Sequence, residues 1–485
     1  MIALVNSMLQ LFAAFAAYSC ELVVHLKHRN AAALESAFWS IATPGDAQYL
    51  HFRSVEQLAA EFGASRKSLE ATTSWLTSDL GASPSALRVS PMKNTIAVTV
   101  PSPLTADDAA WTLSAAGLAI PRVPEALSAA IDFIVRRDGT AAASSAAPHR
   151  VRRAGAPNVG YTIAQQKAAY GIPVGLTSTN PATLQMVWGP GTFGYSKVQL
   201  YEHKVTECPL LNMSRISFDT AAHGTPGGDN FGEGNLDVSM VTSFGLNVHT
   251  IVSNTNTSSS TEEGSGFGLA LLEFVTDLAA RPTVPQVLSI SLGSLSAFSC
   301  DLLCKEVVKT GIAAATCKAF LQNQRQVCMY LSEAQNVRIN DAFKLLGTRG
   351  VSVFGSSGDG GSHWSFGSFP SSTPVGRALN KVGCEYQFPV FPTTSPYVTS
   401  VGGTQWADSI GKKPMAWNGG QGGGGFSWTF PAPPHQAGGV KAYFATHGLP
   451  ATSSFNASGR AYPDISCVST DGTSQSSPSM AGIFR

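Results

Sequence analysis

The chain has 485 residues, which is more than one typical domain, so two or more domains are expected. Hydrophobic residues make up 44%, and the 47 Gly and 28 Pro are typical of a globular, loop-rich α/β protein rather than a disordered one. The 32 Lys and Arg residues balance 31 Asp and Glu residues, so no overall charge attracts nucleic acid, and no nucleic-acid partner is expected. No membrane span is expected either, because the sequence has no run of ~20 apolar residues.

The N-terminus predicts a secretory route. Residues 1–19 hold an uncharged apolar run followed by small residues, which is typical of a signal peptide cut before Cys20; a short buried helix is the alternative. Three Asn-x-Ser/Thr sites, at Asn212, Asn256 and Asn456, predict a glycoprotein.

Half of the cysteines are concentrated in one segment. The eight are Cys20, Cys208, Cys300, Cys304, Cys317, Cys328, Cys384 and Cys467. The four between 300 and 328 lie in a polar segment that is typical of an insertion held by two disulfides. Zinc is the alternative, but no second close pair matches Cys300 and Cys304. We therefore expect disulfides, with their connectivity left open.

In chain order, the first part predicts a compact α+β domain at 20–137 without a catalytic set. Strands are expected at 21–26 and 95–100, and helices at 31–39, 54–62, 65–80, 105–117 and 123–135.

Residues 138–158 then predict an exposed linker, because they are rich in Ala, Ser and Gly. The basic cluster Arg150-Val151-Arg152-Arg153 lies inside it and predicts cleavage by a proprotein convertase after Arg153. A solvated charge cluster is the alternative.

Residues 159–485 predict a parallel sheet covered by helices on both faces. Strands are expected at 197–201, 246–252, 286–292, 350–354 and 397–401, and helices at 236–244, 268–280 and 337–346. Sites in such sheets form at the carboxyl ends of strands, where the polar turns 291–293 and 355–361 lie.

Three short patterns carry possible chemistry. Glu233 and Asp237 are four residues apart and share one face if the segment is helical, where like charges cost ~0.2–0.5 kcal/mol; a carboxyl pair can serve as base and orienter. Asp359 ends a small-residue loop directly after an apolar strand, although a turn Asp is the simpler interpretation. Ser474 stands where a loop becomes a helix, which suits an exposed nucleophile, although helix capping alone also selects serine.

In this chain order the motifs are specific, and the sequence resembles the sedolisin family of serine-carboxyl peptidases, as a tripeptidyl-peptidase-type precursor. The matching segments are 233–237, 285–293, 349–359, 391–404, 423–427 with Gln436, 462–464 and 472–474. The resemblance implies a subtilisin-like parallel α/β sheet preceded by an α+β propeptide domain.

The resemblance also implies roles for four residues. Ser474 would be the nucleophile, Glu233 its general base, Asp237 the carboxyl that orients Glu233, and Asp359 the oxyanion-hole acid. An Asp can donate to an oxyanion only while protonated, so activity in acid is expected. Substrates would be peptides or proteins, the propeptide would act as inhibitor, and the location would be secreted or lysosomal/vacuolar.

Two alternatives remain. A subtilisin-type Asp-His-Ser protease would use His223. An Asp should then end the first core strand, but the sequence at the end of the strand expected there reads Tyr201-Glu202-His203. The other is a non-catalytic or defective homologue, because the stretch between Asp464 and Gly472 is short. The family's C-terminal calcium-binding aspartates are also absent, so the catalytic domain is expected to be truncated and the calcium site missing. All four catalytic residues remain, which favours truncation of an active enzyme.

Overall fold

The computed structural model describes most of the chain, in two compact units. The described residues are 19–101, 110–113, 119–137, 161–191, 193–220, 232–255, 266–323, 327–329, 331–362, 369–407, 413–446, 448–470 and 472–484. The first unit comprises Met1–Glu35 and Arg53–Ala142, and the second comprises Ser36–Phe52 and Ala143–Arg485.

The described α-helices are distributed over both units. They are α1 (Ala31–Ala42), α2 (Val55–Glu61), α3 (Arg66–Ser78), α4 (Ile163–Ala169), α5 (Lys197–Thr206), α6 (Gly232–Phe244), α7 (Gly266–Ala280), α8 (Ala297–Val308), α9 (Ala314–Asn323), α10 (Glu333–Thr348), α11 (Pro374–Glu385), α12 (Ala437–Thr446) and α13 (Thr473–Ile483). None of these described helices is both long and apolar enough to cross a bilayer.

The strands form one sheet in the first unit and a larger one in the second, with short pairs beside them. They are β1 (Ser19–Leu26), β2 (Arg88–Val89), β3 (Thr95–Pro101), β4 (Trp111–Leu113), β5 (Ala119–Pro121), β6 (Ile131–Arg137), β7 (Leu184–Pro190), β8 (Ile216–Phe218), β9 (His249–Thr255), β10 (Val287–Ile290), β11 (Ser294–Leu295), β12 (Ser352–Ser356), β13 (Val390–Phe391), β14 (Thr399–Trp406), β15 (Pro414–Ala416), β16 (Gly425–Pro431), β17 (Gly459–Tyr462) and β18 (Ile465–Val468).

The first unit is an antiparallel sheet, in the order β2–β3–β1–β6, with helices against it. On β3, Ile96, Val98 and Val100 alternate with more exposed residues, so one face of the strand is buried. That face joins a core that includes Trp75 and Leu76 of α3. The predicted strands at 21–26 and 95–100 are thus confirmed as β1 and β3.

The second unit is built on a mainly parallel sheet, in the order β15–β14–β12–β10–β7–β9–β8, with β18 also paired to β14. Only β15 runs antiparallel to its neighbour among the strands described there. All four residues of β10 are buried, as expected for a strand covered on both faces. The predicted parallel α/β sheet is confirmed.

Helix α13 lies on the centre of this sheet and packs against α6. Its residues from Thr473 to Gly482 are all buried. At Gly482 a Cβ atom would lie 2.8 Å from the carbonyl oxygen of Val241 in α6, so only glycine permits this backbone approach. The contact fixes the spacing between the helix that carries Ser474 and the helix that carries Glu233 and Asp237.

The cysteine-rich segment contains two disulfides. Cys300 pairs with Cys328, and Cys304 pairs with Cys317. The prediction that these four cysteines pair among themselves is therefore confirmed, and the structure supplies the connectivity. All four cysteines are buried in a cluster with residues of α8, α9 and α11.

Three predicted elements are wrong. The expected strand at 197–201 is helix α5, because Ser196 caps its start and Leu200 turns into the core. The expected helix at 105–117 contains strand β4 in its described part, and β4 pairs with β5. The expected helix at 123–135 ends in strand β6, because that segment pairs along β1. The first strand of the large sheet, β7, was not predicted.

Candidate active site

Three of the four predicted catalytic residues lie at the ends of strands or at the start of a helix on one edge of the large sheet. Asp359 follows β12, and Ser474 is the second residue of α13. Glu233 is in the first turn of α6, and Asp237 lies one turn further along the same helix. The carboxyl ends of parallel strands and the N-termini of the following helices meet at this edge, which is where α/β proteins form sites.

Ser474 is buried, with 7% of the residue exposed. Its hydroxyl donates to the carbonyl oxygen of Ser291, which follows β10, at 3.3 Å. The N-terminus of α13 places the positive end of a helix dipole beside this hydroxyl. The arrangement suits a nucleophile because negative charge that develops near Ser474 is stabilised there.

Asp237 is fully buried and accepts a hydrogen bond from Ser291. The hydroxyl of Ser291 donates to Oδ2 of Asp237 at 2.5 Å. Glu233 is partly buried. Because α6 is helical from Gly232, the two carboxylates lie on one face, as their spacing predicted.

Ser291 therefore contacts two of the four predicted residues, although the sequence assigned it no role. The sequence signal was present, since Ser291 begins the polar turn 291–293 at the end of a buried strand. What the sequence lacked was the pairing partner, because Asp237 is 54 positions away.

Asp359 is exposed and accepts hydrogen bonds from Thr473, the residue before the proposed nucleophile. Its Oδ1 accepts from the backbone N–H of Thr473 at 2.7 Å and from the Thr473 hydroxyl at 3.0 Å. The Thr473 hydroxyl accepts in turn from the N–H of Gly358 at 3.0 Å. The hydroxyl of Ser356 donates to the Thr473 carbonyl at 2.9 Å. Four hydrogen bonds thus join the loop after β12 to the start of α13.

Two glycines make this close approach possible. Gly472 has φ +80°, and a Cβ atom there would lie 2.5 Å from Oδ2 of Asp359. At Gly423 a Cβ atom would lie 1.9 Å from the carbonyl oxygen of Ser357, and its N–H donates to the Gly358 carbonyl at 2.5 Å. The glycine-rich segment 422–425 therefore packs directly against the loop that carries Asp359.

Polar residues behind the nucleophile hold the loop that leads into α13. Oε1 of Gln475 accepts from the backbone N–H and the hydroxyl of Thr470, at 2.8 and 2.9 Å. Its Nε2 donates to Oε1 of Gln166 in α4 at 3.4 Å. The Tyr170 hydroxyl accepts from the N–H of Val468 at 2.8 Å. Burial raises the pKa of Tyr170 and raises the pKa of the neighbouring Cys467 thiol to about 11.

The residue of the subtilisin alternative, His223, lies outside the described residues. The first strand of the large sheet is β7, not 197–201, and it ends at Gly189 and Pro190. The Asp required by that alternative is therefore not at the end of this strand, and the position expected for it, 201–203, lies in α5.

No set of three or more His, Cys, Asp or Glu side chains within the described segments is arranged to hold a metal ion. Calcium remains an expectation from the family resemblance.

Comparison with known proteins gives a family-model match and several similar relatives. The family model for the pro-kumamolisin activation domain matches residues 14–102. Human tripeptidyl-peptidase 1 is 35% identical over 173 residues, which is 32% of this chain and 27% of the relative. A tripeptidyl-peptidase of Arthroderma otae is 36% identical over 160 residues, which is 30% of this chain and 24% of the relative.

The matches to an activation domain and to two tripeptidyl-peptidases agree with the resemblance to the sedolisin family. A solved structure of Pseudomonas sedolisin, complexed with two molecules of pseudo-iodotyrostatin, matches with a TM-score of 0.42 and 20% identity, over 67% of this chain and 79% of that one. The chain spans about a quarter of the length of the curated relatives it matches, 27% for the human protein.

Proposed function

We propose that the protein is an acid-acting serine-carboxyl peptidase made as a zymogen. Ser474 is the nucleophile, Glu233 its general base, Asp237 the carboxyl that orients Glu233, and Asp359 the oxyanion donor. Substrates are peptides or proteins, cleaved as tripeptides from an end or internally. The relatives named tripeptidyl-peptidase and the activation-domain match support the peptidase class and the zymogen form.

The observation that carries the proposal is the link between Ser474 and Asp237 through Ser291. The Ser474 hydroxyl donates to the Ser291 carbonyl, and the Ser291 hydroxyl donates to Asp237. Asp359 is bonded to Thr473, the residue directly before the nucleophile. Asp237 and Asp359, from distant parts of the sequence, are thus each one residue removed by hydrogen bonds or chain from Ser474, which supports its role as a serine nucleophile.

The proposed reaction proceeds through an acyl-enzyme. Oγ of Ser474 attacks the peptide carbonyl carbon while Glu233 takes the hydroxyl proton, and the carbonyl oxygen becomes an oxyanion. The C–N bond then breaks as Glu233 returns the proton to the leaving amine. Water, deprotonated by Glu233, then attacks the ester carbonyl carbon, the bond from this carbon to Oγ breaks, and Glu233 returns the proton to Oγ of Ser474 as the peptide acid leaves.

The oxyanion donor explains the acid requirement. A carboxyl group donates a hydrogen bond only while it carries a proton, so Asp359 can stabilise the oxyanion only in its neutral form. Its anchor on Thr473 holds the carboxyl next to the nucleophile. An acidic location, either lysosomal/vacuolar or outside the cell, fits this requirement and the predicted signal peptide at 1–19.

The test compares the full chain with Ser474→Ala and Glu233→Gln at acidic pH, on a tripeptide-releasing substrate and an internally quenched peptide. Each variant should lower kcat by at least ~10⁴-fold, as removal of members of a nucleophile–base unit does. Ser479→Ala is the matched control, because this buried serine of α13 donates only within its own helix, to the Gln475 carbonyl. Full activity of Glu233→Gln would exclude the proposed base.

The zymogen part has its own test. Residues 138–158, which lie outside the described residues, should be cut after Arg153, and Arg152→Ala/Arg153→Ala should block maturation. N-terminal sequencing of the processed protein checks this. A mature N-terminus inside the first unit, upstream of residue 137, would contradict the linker assignment.

A further inference from the structure

Ser291 is buried, with 4% of the residue exposed. It forms hydrogen bonds within the proposed site through its hydroxyl and through its backbone carbonyl. We infer that Ser291 is a positioning residue for this peptidase, an inference that rests on the proposed function. Its hydroxyl fixes the Asp237 carboxylate, and its carbonyl oxygen fixes the Ser474 hydroxyl. One residue thereby sets the geometry of the orienter and of the nucleophile together.

The hydroxyl contact has the geometry of a charge-assisted hydrogen bond. The distance of 2.5 Å between Oγ of Ser291 and Oδ2 of Asp237 lies in the range of about 2.5–2.7 Å that is typical for a hydroxyl on a carboxylate. Asp237 has no solvent-exposed surface, so bulk water does not replace this donor when it is removed. Loss of the hydroxyl removes that donor from the buried carboxylate oxygen and weakens the hold on its orientation.

The carbonyl contact depends on a backbone held by packing. Ser291 lies between β10 and β11, and β11 pairs with β13. At Gly293 a Cβ atom would lie 2.4 Å from Cγ1 of Val390 and 2.7 Å from the Phe391 carbonyl oxygen. The turn is thus pressed against β13, which restricts the direction of the Ser291 carbonyl.

The sequence offers a matched control two positions earlier. Ser289 is also buried, in β10, the strand that Ser291 follows, and its hydroxyl is hydrogen-bonded to the hydroxyl of Ser477 at 2.9 Å. Ser289→Ala removes a buried hydroxyl of equal size, whose hydrogen-bond partner is Ser477 and none of the four proposed catalytic residues. A difference between the two variants therefore reports the Asp237 contact rather than the general cost of deleting a buried hydroxyl.

The experiment measures kcat, KM and the thermal unfolding midpoint for Ser291→Ala, Ser291→Thr and Ser289→Ala in the full chain. Ser291→Ala should lower kcat by about 10- to 100-fold with little change in KM, because a hydrogen bond to a charged group is lost from the catalytic unit. Ser291→Thr keeps the hydroxyl and should restore most of kcat. Ser289→Ala should keep kcat.

A double-mutant cycle separates positioning from a purely structural role. If Ser291 acts through Asp237, Ser291→Ala should cost little further kcat in an Asp237→Ala background. Equal losses in both backgrounds, or a wild-type kcat for Ser291→Ala, would overturn the inference while Ser474→Ala still lacked activity. Retained activity of Ser474→Ala would instead overturn the proposed function itself.

Discussion

The backbone N–H of Thr473 donates to Oδ1 of Asp359 at 2.7 Å, and the Thr473 hydroxyl donates to the same oxygen at 3.0 Å. Asp359 therefore caps the N-terminus of α13 and ties the loop after β12 to the residue before Ser474. The contact gives Asp359 a structural role beside its proposed chemical one, and substitutions can separate the two roles.

Asp359→Asn should keep measurable activity that falls less than the wild-type activity as pH rises. The amide keeps an oxygen for Thr473, and its NH₂ group donates at every pH. Asp359→Ala should lower kcat by ~10²–10³-fold, as loss of an oxyanion donor does. Steady-state kinetics from acid to neutral pH check both outcomes. A wild-type pH profile for Asp359→Asn would argue against a protonated donor.

Gly472→Ala should destabilise the protein and lower its activity. The backbone of Gly472, at φ 80° and ψ 173°, is in a region that costs a non-glycine residue about 1–3 kcal/mol, and the new Cβ would press on the Asp359 carboxylate at 2.5 Å. Urea unfolding and kcat measure the two effects. Gly438→Ala is the control, because nothing lies within 4 Å of a Cβ atom there and its φ is not positive. Equal behaviour of the two variants would be inconsistent with strain at Gly472.

The paired variant Cys304→Ser/Cys317→Ser should lower the free energy of unfolding by ~2–4 kcal/mol. The bond closes a loop with a sequence separation of 13 and lies in a buried cluster, so its removal enlarges the unfolded ensemble and loosens α8 and α9. Denaturant unfolding measures the change, and non-reducing peptide mapping checks the pairing. Cys384→Ser should have no such effect, since Cys384 is exposed and forms no disulfide with any described residue.

Cys467 should resist alkylation in the native protein. Burial raises the pKa of its thiol to about 11, so at pH 8 about one thiol in a thousand is ionised, and no solvent-exposed surface remains for a reagent. Iodoacetamide labelling followed by peptide mapping should modify exposed Cys384 quickly and Cys467 only after unfolding. Similar native labelling rates at both positions would contradict this environment for Cys467.

The sequence alone predicted much of the large sheet, because its signals are local. Near-continuous apolar runs predicted β10, β12 and β14, and helical spacing predicted α6, α7 and α10. The position of Glu233 and Asp237 on one helical face also followed from their four-residue separation. These properties depend on neighbouring residues and are readable without the fold.

Local patterns failed where distant partners decide the structure. Residues 131–137 form β6 because they pair along β1, with Val135 opposite Val23. The residues next to this segment in the sequence do not indicate that β1 is its partner. Residues 197–201 alternate like a strand, yet the cap at Ser196 and the burial of Leu200 make them helical.

The same distinction applies to the site. The sequence marked Glu233, Asp237, Asp359 and Ser474 as candidates, since each stands in a recognisable motif. Only the tertiary structure showed that Ser291 joins Asp237 to Ser474, and that Asp359 is bonded to Thr473. The reason is physical: a hydrogen bond depends on the distance between a donor and an acceptor in space, and here the partners are separated by 54 to 183 positions in the chain.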